Sequence, residues 1–306
     1  MIEIGPDWLA AHPVPDPDQD TDKNDRGRLL IAGGSLQVPG ALRLVGEAAL
    51  RAGAGKVQLA TVNAACLGLG LGFPEAGVFG LPANSQGELG AEAGPALVEL
   101  MRRCDALILG PGMGRSADAE NLLHAALSAT ASVSLVLDAA MIAAAPRHAA
   151  AIARLPKRAI LTPHPGEMAK LLECDEDDVS LEATRDLAER LNAVIVFKGT
   201  ETWVVAPGER PLHYAGGGPG LATAGSGDVL AGLTGGLAAR GADPAIAAAW
   251  AVWLHGEAGK CLARSVGPLG FLARELPPLV PRLMAHWAAP RPHSCTAINL
   301  EVTKPL

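Results

Sequence analysis

The stretch with the clearest chemical potential is a turn of small residues, 224–227, that leads into Asp228 and a segment rich in Ala, Leu and Gly. Gly225 and Gly227 carry no Cβ, so a ligand can approach their backbone closely. Ser226 is a favoured N-cap residue for the helix that this composition predicts. The free N–H groups of its first turn suit a phosphoryl group, and Asp228 beside them can take a proton from an attacking hydroxyl. The alternative is a plain helix cap whose acidic residue compensates the helix dipole.

A second turn, TPHPGE at 162–167, holds His164 between two prolines and starts a helix at Glu167. The prolines restrict the backbone on both sides of the histidine, so the turn can present His164 rigidly to a ligand. Glu167 would then face a phosphate-bound Mg²⁺ ion through a water molecule. A rigid structural turn with a capping glutamate is the alternative.

A third turn, KGTET at 198–202, places Lys198 directly after an apolar run. A lysine there can neutralise the charge that phosphoryl transfer spreads over oxygens. Thr200 and Thr202 can donate hydrogen bonds to phosphate or ribose. A solvated charge at a strand end is the alternative. His255, in the middle of a predicted helix, is interpreted as a packing residue.

The elements that must position these turns alternate along the chain, with short apolar runs for strands and helical spacing for helices. Strands are predicted over 29–32, 56–61, 105–109, 133–137, 159–161 and 194–197, with a hairpin over 202–206 and 211–214. Helices are predicted over 40–52, 92–103, 118–129, 166–173, 180–191, 226–239 and 244–263, and then up to Trp287 with breaks at Pro277 and Pro278. This alternation predicts a parallel sheet. Because ligands bind outside the carboxyl ends of such strands, the turns are expected to meet in one site.

Composition narrows the class of protein. A chain of 306 residues with 49% hydrophobic and 19% charged residues can bury one large α/β core. The net charge is −7 and no cluster of Lys and Arg stands out, which disfavours nucleic acid and membrane surfaces as partners. Five widely spaced cysteines without metal-ligand spacing indicate reduced thiols in a cytoplasmic protein. No signal peptide or transmembrane span is predicted.

One folded domain is expected, because neither a linker nor an internal repeat is evident. Residues 1–25 are expected to form an extended arm, since the prolines within 13–17 disfavour a helix. Residues 26–287 are expected to form the domain, and residues 288–306 a loose tail.

Taken together, the long motifs resemble a known family. LTPHPGEMAKLL, VIVFKGTETWVVA and GGPGLATAGSGDVLAGLTGGLAARG, with PGALRLVGEAALRAGAGKVQLAT and DALILGPGMG upstream, are similar to the ADP/ATP-dependent NAD(P)H-hydrate dehydratases. The matches keep the family's order from about residue 26 to residue 259. The family is a branch of the ribokinase-like fold, a three-layer α/β/α sandwich with a mostly parallel sheet and a small β-hairpin over the nucleotide site. The chain resembles the single-domain bacterial members, which prefer ADP.

The resemblance implies a phosphoryl transfer, as in a kinase, that is followed by elimination of the phosphate from the product. Hydrated NADH or NADPH, in its S epimer, carries a ring hydroxyl, which ADP (or ATP) phosphorylates with Mg²⁺ as cofactor. Elimination of phosphate then restores the ring double bond. By resemblance Asp228 is the catalytic base. The residues implied to contact the hydrate are Ala41, Gly112, Gly114, His164 and Asp228. Those implied to contact the nucleotide are Lys198, Gly199, Thr200, Glu201, Thr202, Gly225 and Gly227.

The resemblance also implies a separate NAD(P)H-hydrate epimerase acting on the same pool, and a homotetramer. Two positions depart from the family pattern: Asn24 replaces a usual Gly, and Ala140 replaces a usual Asp. Two alternatives stay open, and the second of them is motivated by these departures. One is a ribokinase-like kinase of a vitamin precursor, hydroxymethylpyrimidine or hydroxyethylthiazole, which shares the GSGD motif. The other is a non-catalytic nucleotide-binding homologue.

Overall fold

A ten-stranded sheet forms the centre of the fold. The computed structural model describes residues 1–16, 21–129, 133–155 and 159–288. The strands are β1 (Ile2–Glu3), β2 (Arg28–Ala32), β3 (Lys56–Val62), β4 (Gly77–Leu81), β5 (Ala106–Leu109), β6 (Ser134–Leu137), β7 (Ile160–Leu161), β8 (Val194–Phe197), β9 (Thr202–Val205) and β10 (Leu212–Tyr214). Their order is β1-β10-β9-β8-β7-β6-β5-β2-β3-β4. β9 runs antiparallel to β8 and β10, and the other pairs are parallel. The predicted parallel sheet and hairpin are confirmed.

Helices connect most of the strands. They are α1 (Pro6–Ala11), α2 (Gly40–Arg51), α3 (Cys66–Gly72), α4 (Gly94–Met101), α5 (Ala117–Ala129), α6 (Ala140–Ala144), α7 (Ala149–Ile152), α8 (Pro165–Leu172), α9 (Leu181–Leu191), α10 (Ser226–Ala239), α11 (Pro244–Ser265) and α12 (Val280–Ala288). Single 3₁₀ turns lie at Asn63–Ala65, Ala91–Ala93, Ala145–His148, Glu176–Asp178, Pro219–Leu221, Ala273–Glu275 and Pro277–Leu279. In the described part of the chain, none of these helices combines the length and the apolar character that crossing a membrane requires.

Both faces of the sheet are covered. Along β2, Leu29 and Ile31 belong to one buried cluster, whereas Leu30 and Ala32 belong to another. The alternation follows from the two-residue period of a strand, and two apolar faces explain why the strand reads as a continuous hydrophobic run. α2, α10 and α11 contribute to the first cluster, and α4, α5 and α8 to the second. The predicted three-layer α/β/α sandwich is confirmed.

α10 and α2 pack with their backbones in contact. A Cβ on Gly232 would lie 2.3 Å from the carbonyl oxygen of Val45, and one on Gly236 would lie 2.8 Å from that of Ala49. Only residues without a side chain allow two helices to approach this closely. The core therefore supports α10 from behind along its length.

The N-terminal residues are not the extended arm that the prolines suggest. β1 pairs in parallel with β10, and Leu9 of α1 is fully buried. α1 forms because Pro6 stands in its first turn, where the missing N–H has no intrahelical partner in any case. Pro13 and Pro15 come after the end of α1 and do not interrupt it, and Pro17 lies outside the described residues.

With one exception, the strands and helices predicted from apolar patterns are confirmed to within about two residues. The exception is the C-terminal segment, which was predicted to be helical up to Trp287: residues 266–272 are not helical, two 3₁₀ turns follow, and α12 begins only at Val280. Beyond the N-terminal elements, the pattern does not predict α3, β4, α6 and α7. α3 has the sequence CLGLGLG, whose alternation follows no helical period, and β4 contains two glycines. Residues 289–306 of the predicted tail lie outside the described residues. The division of the chain at 25 and 287 stays a prediction. The four described cysteines are free thiols, as expected.

Candidate active site

Three polar side chains meet where adjacent strands end. Asp138, Thr162 and Lys198 directly follow β6, β7 and β8. Thr162 Oγ1 donates a hydrogen bond to Asp138 Oδ1 at 2.7 Å, and Lys198 Nζ lies 3.5 Å from the same oxygen. Asp138 is 5% exposed, and a charge so deeply buried requires partners of this kind. The structure thus brings the strand-end turns together at one edge of the sheet.

The first turn of α10 faces this cluster. Gly225 caps the helix in the left-handed conformation, with φ 86°, and a Cβ there would lie 2.5 Å from Leu44 Cδ1. The backbone and the packing therefore both require glycine at 225. At Gly227 a Cβ would lie 3.6 Å from Lys198 Nζ. Helix N–H groups and an ammonium group thus border the same space, which is suited to an anion.

Asp228 lies in this same turn and has altered acidity. Burial and the negative charge of Asp138 raise the pKa of Asp228 to about 6, while Lys198 opposes the rise. At neutral pH the side chain is mostly ionised, yet it is more basic than an ordinary aspartate and can accept a proton from a hydroxyl. Such a carboxylate beside an anion site fits a base for phosphoryl transfer.

Ser226 differs from its predicted role. The N-cap position belongs to Gly225, so Ser226 is the first helical residue. Its Oγ shares a hydrogen bond of 2.9 Å with His255 Nε2 of α11. His255, interpreted from the sequence as a packing residue, lines the cleft beside Ser226. Burial lowers the pKa of His255 to about 4, so its ring is neutral near pH 7.

A cleft of about 750 Å³ opens at this turn. The residues predicted to bind nucleotide that line it are Lys198, Gly199, Thr200, Thr202 and Gly227. Apolar side chains also line it, among them Pro219, Leu221, Leu230 and Val252. The mixture of apolar walls with a few convergent polar groups is typical of a small-molecule site.

Two of the residues predicted to bind nucleotide, Glu201 and Gly225, do not line the cleft. Glu201 Oε2 hydrogen-bonds Nε2 of His213 at 3.0 Å, and Glu201 is not among the residues lining the cleft. The strand period explains this, because Glu201 and Trp203 are two positions apart and both contact His213. Gly225 is likewise not among the lining residues, because Leu44 and the helix cap enclose it.

His164 borders a second cavity as well as the cleft. This cavity has a volume of about 240 Å³, and Gly114, Ala140 and Glu167 also line it. The region contains a strained residue, Ala139, whose φ of 49° is unusual for a residue with a Cβ. Because one exposed side chain borders both cavities, ligands bound in the two would meet at His164.

The remaining residues predicted to bind the hydrate lie together around one glycine-rich turn. A Cβ on Gly112, where φ is 67°, would lie 2.9 Å from Ala41 Cβ, although neither residue lines the two cavities. The Gly114 N–H donates a hydrogen bond to Glu88 Oε1 at 2.8 Å. Sequence reasoning missed Glu88, because no motif links it to a turn 26 positions away.

Glu167 caps α8. Its Oε2 accepts a hydrogen bond from the His164 backbone N–H at 3.0 Å, as the structural interpretation of this turn expects. Within the described residues, no three His, Cys, Asp or Glu side chains are grouped so as to hold a metal ion. Mg²⁺ needs only one or two carboxylates when phosphates supply the other ligands. Asp138 and Asp228 offer such oxygens, so the residues fit a Mg²⁺ ion that arrives with a nucleotide.

Solved structures share this architecture. A ribokinase-like superfamily protein from Enterococcus faecalis V583 is 27% identical, with a TM-score of 0.81 over 94% of this chain and 97% of that one. An ADP/ATP-dependent NAD(P)H-hydrate dehydratase from Bacillus subtilis, co-crystallised with ATP and Mg²⁺, is 26% identical, with a TM-score of 0.77 over 92% and 96%. The fold and its anion site thus define a protein of the ribokinase-like class.

Sequence comparisons define the family. The family model for NAD(P)H-hydrate dehydratase matches residues 29–282. The ADP-dependent (S)-NAD(P)H-hydrate dehydratase of Xanthomonas campestris pv. campestris is 46% identical over 281 residues, 90% of this chain and 93% of that protein. The bifunctional NAD(P)H-hydrate repair enzyme Nnr of Moorella thermoacetica is 35% identical over 261 residues, and the match spans about half of that protein, 49%. The chain belongs to the NAD(P)H-hydrate dehydratase family, as its motifs predict.

Proposed function

We propose that the protein is a hydro-lyase that dehydrates the S epimer of hydrated NADH and NADPH with ADP as phosphoryl donor. The observation that carries this proposal is Asp228, a carboxylate with a pKa near 6 at an anion site that also faces Lys198. The 46% identical Xanthomonas protein, whose name specifies ADP and the S epimer, supports the choice of substrate and donor.

The reaction follows from this geometry. Asp228 takes the proton of the hydrate hydroxyl as its oxygen attacks the terminal phosphorus of ADP, and AMP leaves. The Lys198 ammonium and the N–H groups of the first turn of α10 stabilise the charge on the transferred phosphoryl oxygens. The C–O bond of the phosphate ester then breaks, phosphate departs, and loss of a proton from the neighbouring ring carbon restores the double bond of NADH or NADPH.

Roles for the other residues are part of the proposal. Residues 198–202 hold the nucleotide in the cleft, with Glu201 acting on the loop and not on the ligand. The hydrate lies toward the smaller cavity, with His164 between the two ligands. Gly114 borders the hydrate, and Ala41 and Gly112, which line neither cavity, support the turn that carries Gly114.

Mg²⁺ is the expected cofactor. Bound with the nucleotide, it would neutralise phosphate charge and orient the terminal phosphoryl group. Asp138 would hold it, directly or through water, and Asp228 and Glu167 would contact it through water, which leaves the Asp228 carboxylate free to accept a proton. The Bacillus relative, crystallised with ATP and Mg²⁺, supports both the metal and ATP as an alternative donor.

A turnover assay tests the proposal. The protein is mixed with hydrated NADH or NADPH, Mg²⁺ and either ADP or ATP, and the near-ultraviolet absorbance of the reduced nicotinamide is followed. We expect the absorbance to return, faster with ADP, and we expect Asp228→Asn to abolish this while retaining nucleotide binding. A folded protein that restores no absorbance with either nucleotide would refute the proposal. A stable phosphorylated product formed when hydroxymethylpyrimidine or hydroxyethylthiazole replaces the hydrate would instead indicate a vitamin-precursor kinase.

The setting of the enzyme is also proposed. We expect it to act in the cytoplasm on small molecules, as a homotetramer, beside an epimerase that interconverts the two hydrate epimers. The Moorella relative, which is named a bifunctional repair enzyme, supports a link to a second activity. Sedimentation of the purified protein tests the tetramer.

A further inference from the structure

The N-terminal strand reaches the loop 198–202 through a single histidine. Glu3 of β1 lies opposite His213 of β10 in the sheet, and Glu3 Oε2 hydrogen-bonds His213 Nδ1 at 2.9 Å. The other ring nitrogen, Nε2, hydrogen-bonds Glu201 Oε2 at 3.0 Å. Carboxylates from two distant segments of the chain thus occupy both nitrogens of one ring.

The surroundings of His213 favour its charged form. Its side chain is 10% exposed, while those of Glu3 and Glu201 are more than half exposed. The indole of Trp203 in β9 packs against the ring, with centroids 4.4 Å apart and the two planes tilted by 39°. Burial opposes protonation, but the hydrogen bonds and charges of the two carboxylates outweigh it and raise the pKa of His213 above its usual value. Only the protonated ring carries an N–H for each carboxylate.

The loop 198–202 is held at both of its ends. At the start, Lys198 Nζ lies 3.5 Å from Asp138 Oδ1. Near the end, Glu201 is held by His213. Gly199 and Thr200, which line the cleft, lie between these two attachments. The second attachment is secured in turn by β1, since the Ile4 N–H donates to the His213 carbonyl oxygen at 2.7 Å.

We propose that Glu3 and His213 are positioning residues for the nucleotide, which act by fixing Glu201 and thereby the loop 198–202. The inference rests on the proposed function for the identity of the ligand. It assigns a role to the N-terminal strand, which no motif indicated, and to Glu201, whose side chain the structure places away from the cleft.

The link depends on pH in a defined direction. Protonated His213 joins both carboxylates, whereas the neutral ring can donate to one and presents a bare nitrogen to the other. The link is therefore complete below the raised pKa of His213 and is lost as the pH rises through it. The charged groups that face the ring are Glu3 from β1 and Glu201 from the loop, and Trp203 contributes no charge.

Direct ADP binding tests the positioning role. In Glu3→Gln the amide oxygen can still accept from Nδ1, so the fold is kept while the charge is lost. We expect ADP to bind about three- to tenfold more weakly, the range for one charge-assisted contact at a partly exposed site. The KM for ADP should rise in parallel, with kcat and the KM for hydrate nearly unchanged. Glu92→Gln, which removes one exposed carboxylate from Ala91–Ala93, is the charge-matched control.

A spectroscopic titration tests the link without nucleotide or turnover. A protonated imidazole quenches an indole that it contacts, so the fluorescence of Trp203, obtained by subtracting that of Trp203→Phe, should report the protonation of His213. We expect Glu3→Gln to lower the pH midpoint. An unchanged midpoint, or an ADP affinity equal to that of the wild type, would overturn the positioning role. A wild-type protein that binds ADP but turns over no hydrate would refute the proposed function but not this inference.

Discussion

At the scale of single residues, Asp228 is a base whose strength comes from an unfavourable environment. Burial and Asp138 disfavour its charge, and Lys198 compensates only in part, so its pKa rises to about 6 from the usual value of 3.8. The same environment that makes the carboxylate a better proton acceptor also destabilises the folded protein whenever the group is ionised.

The pH dependence of turnover should report this base. We expect kcat/KM to fall as the pH drops through about 6, because the free enzyme must hold Asp228 ionised. Asp138→Asn removes a negative charge that raises this pKa, so the acidic limb should shift to lower pH. Rates measured from pH 4 to 8 for both proteins decide this. A limb that stays in place in Asp138→Asn would show that Asp138 does not act on Asp228.

The cost of the buried charge should appear in stability. The folded-state pKa is raised, so stability decreases as the pH rises from about 4 to 6 and stays lower above it. We therefore expect Asp228→Asn to be more stable than the wild type at pH 8, by an amount on the order of 2 kcal/mol, and to show no gain at pH 4. Urea unfolding at the two pH values measures this. An equal gain at both would point to packing and not to charge.

Some residues of the site could be predicted from the sequence, and others could not. Asp228 and Lys198 were predicted, because each stands in a motif beside a glycine turn. Glu88 and His213 were not, since their partners are 26 and as many as 210 positions away. Contacts between residues so distant depend on strand order, which local patterns do not encode.

At the scale of elements, the two glycines before and within α10 have different reasons to be glycine. Gly225 needs a left-handed backbone and has no room for a Cβ, whereas Gly227 is helical and would direct a Cβ toward Lys198 Nζ in the cleft. From the sequence alone, Gly225 and Gly227 receive the same interpretation: both are positions where a ligand can approach the backbone.

This difference makes a matched pair of variants informative. We expect Gly225→Ala to lower the free energy of unfolding by about 1–2 kcal/mol or more, from conformational strain and a clash with Leu44. Gly227→Ala should leave stability unchanged or slightly raised, because alanine favours a helix, while it weakens ADP binding. Thermal unfolding and calorimetry on both variants provide the measurements. Equal losses of stability would contradict the distinction.

Most elements were predictable and a few were not, for physical reasons. Runs such as VIVF at β8 are apolar on both faces because the sheet is covered on both sides. β1 was missed because two residues cannot display a period, and its pairing with β10 depends on a partner far along the chain. α3 was missed because two of its leucines, Leu67 and Leu71, face solvent.

At the scale of the whole molecule, the N-terminal residues are part of the folded unit. Leu9 is fully buried in the cluster that α2, α10 and α11 share. Trp250 Nε1 of α11 donates to the His12 carbonyl oxygen at 2.8 Å. The fold class could be predicted because alternating strands and helices allow few topologies. The docking of the first residues could not, because their prolines suggested a free segment.

A pair of leucine truncations tests this placement. We expect Leu9→Ala to lower the free energy of unfolding by about 2–5 kcal/mol, as for other buried leucines. Leu67→Ala, where the leucine is 75% exposed, should change it by about 0.5 kcal/mol or less. Denaturant unfolding of the two variants gives the comparison. If Leu9→Ala changed the free energy of unfolding as little as Leu67→Ala, the N-terminal residues would instead form the extended arm that the sequence suggested.

The backbone contact between α10 and α2 limits where the protein can move. With Gly232 and Gly236 seated against carbonyl groups of α2, α10 has no free volume for sliding or rotation. The part of the cleft that α10 forms is therefore rigid and has the same geometry before and after a ligand binds. Adjustment to different donors or substrates then falls to the residues that follow the β9–β10 hairpin, within 216–223, several of which also line the cleft.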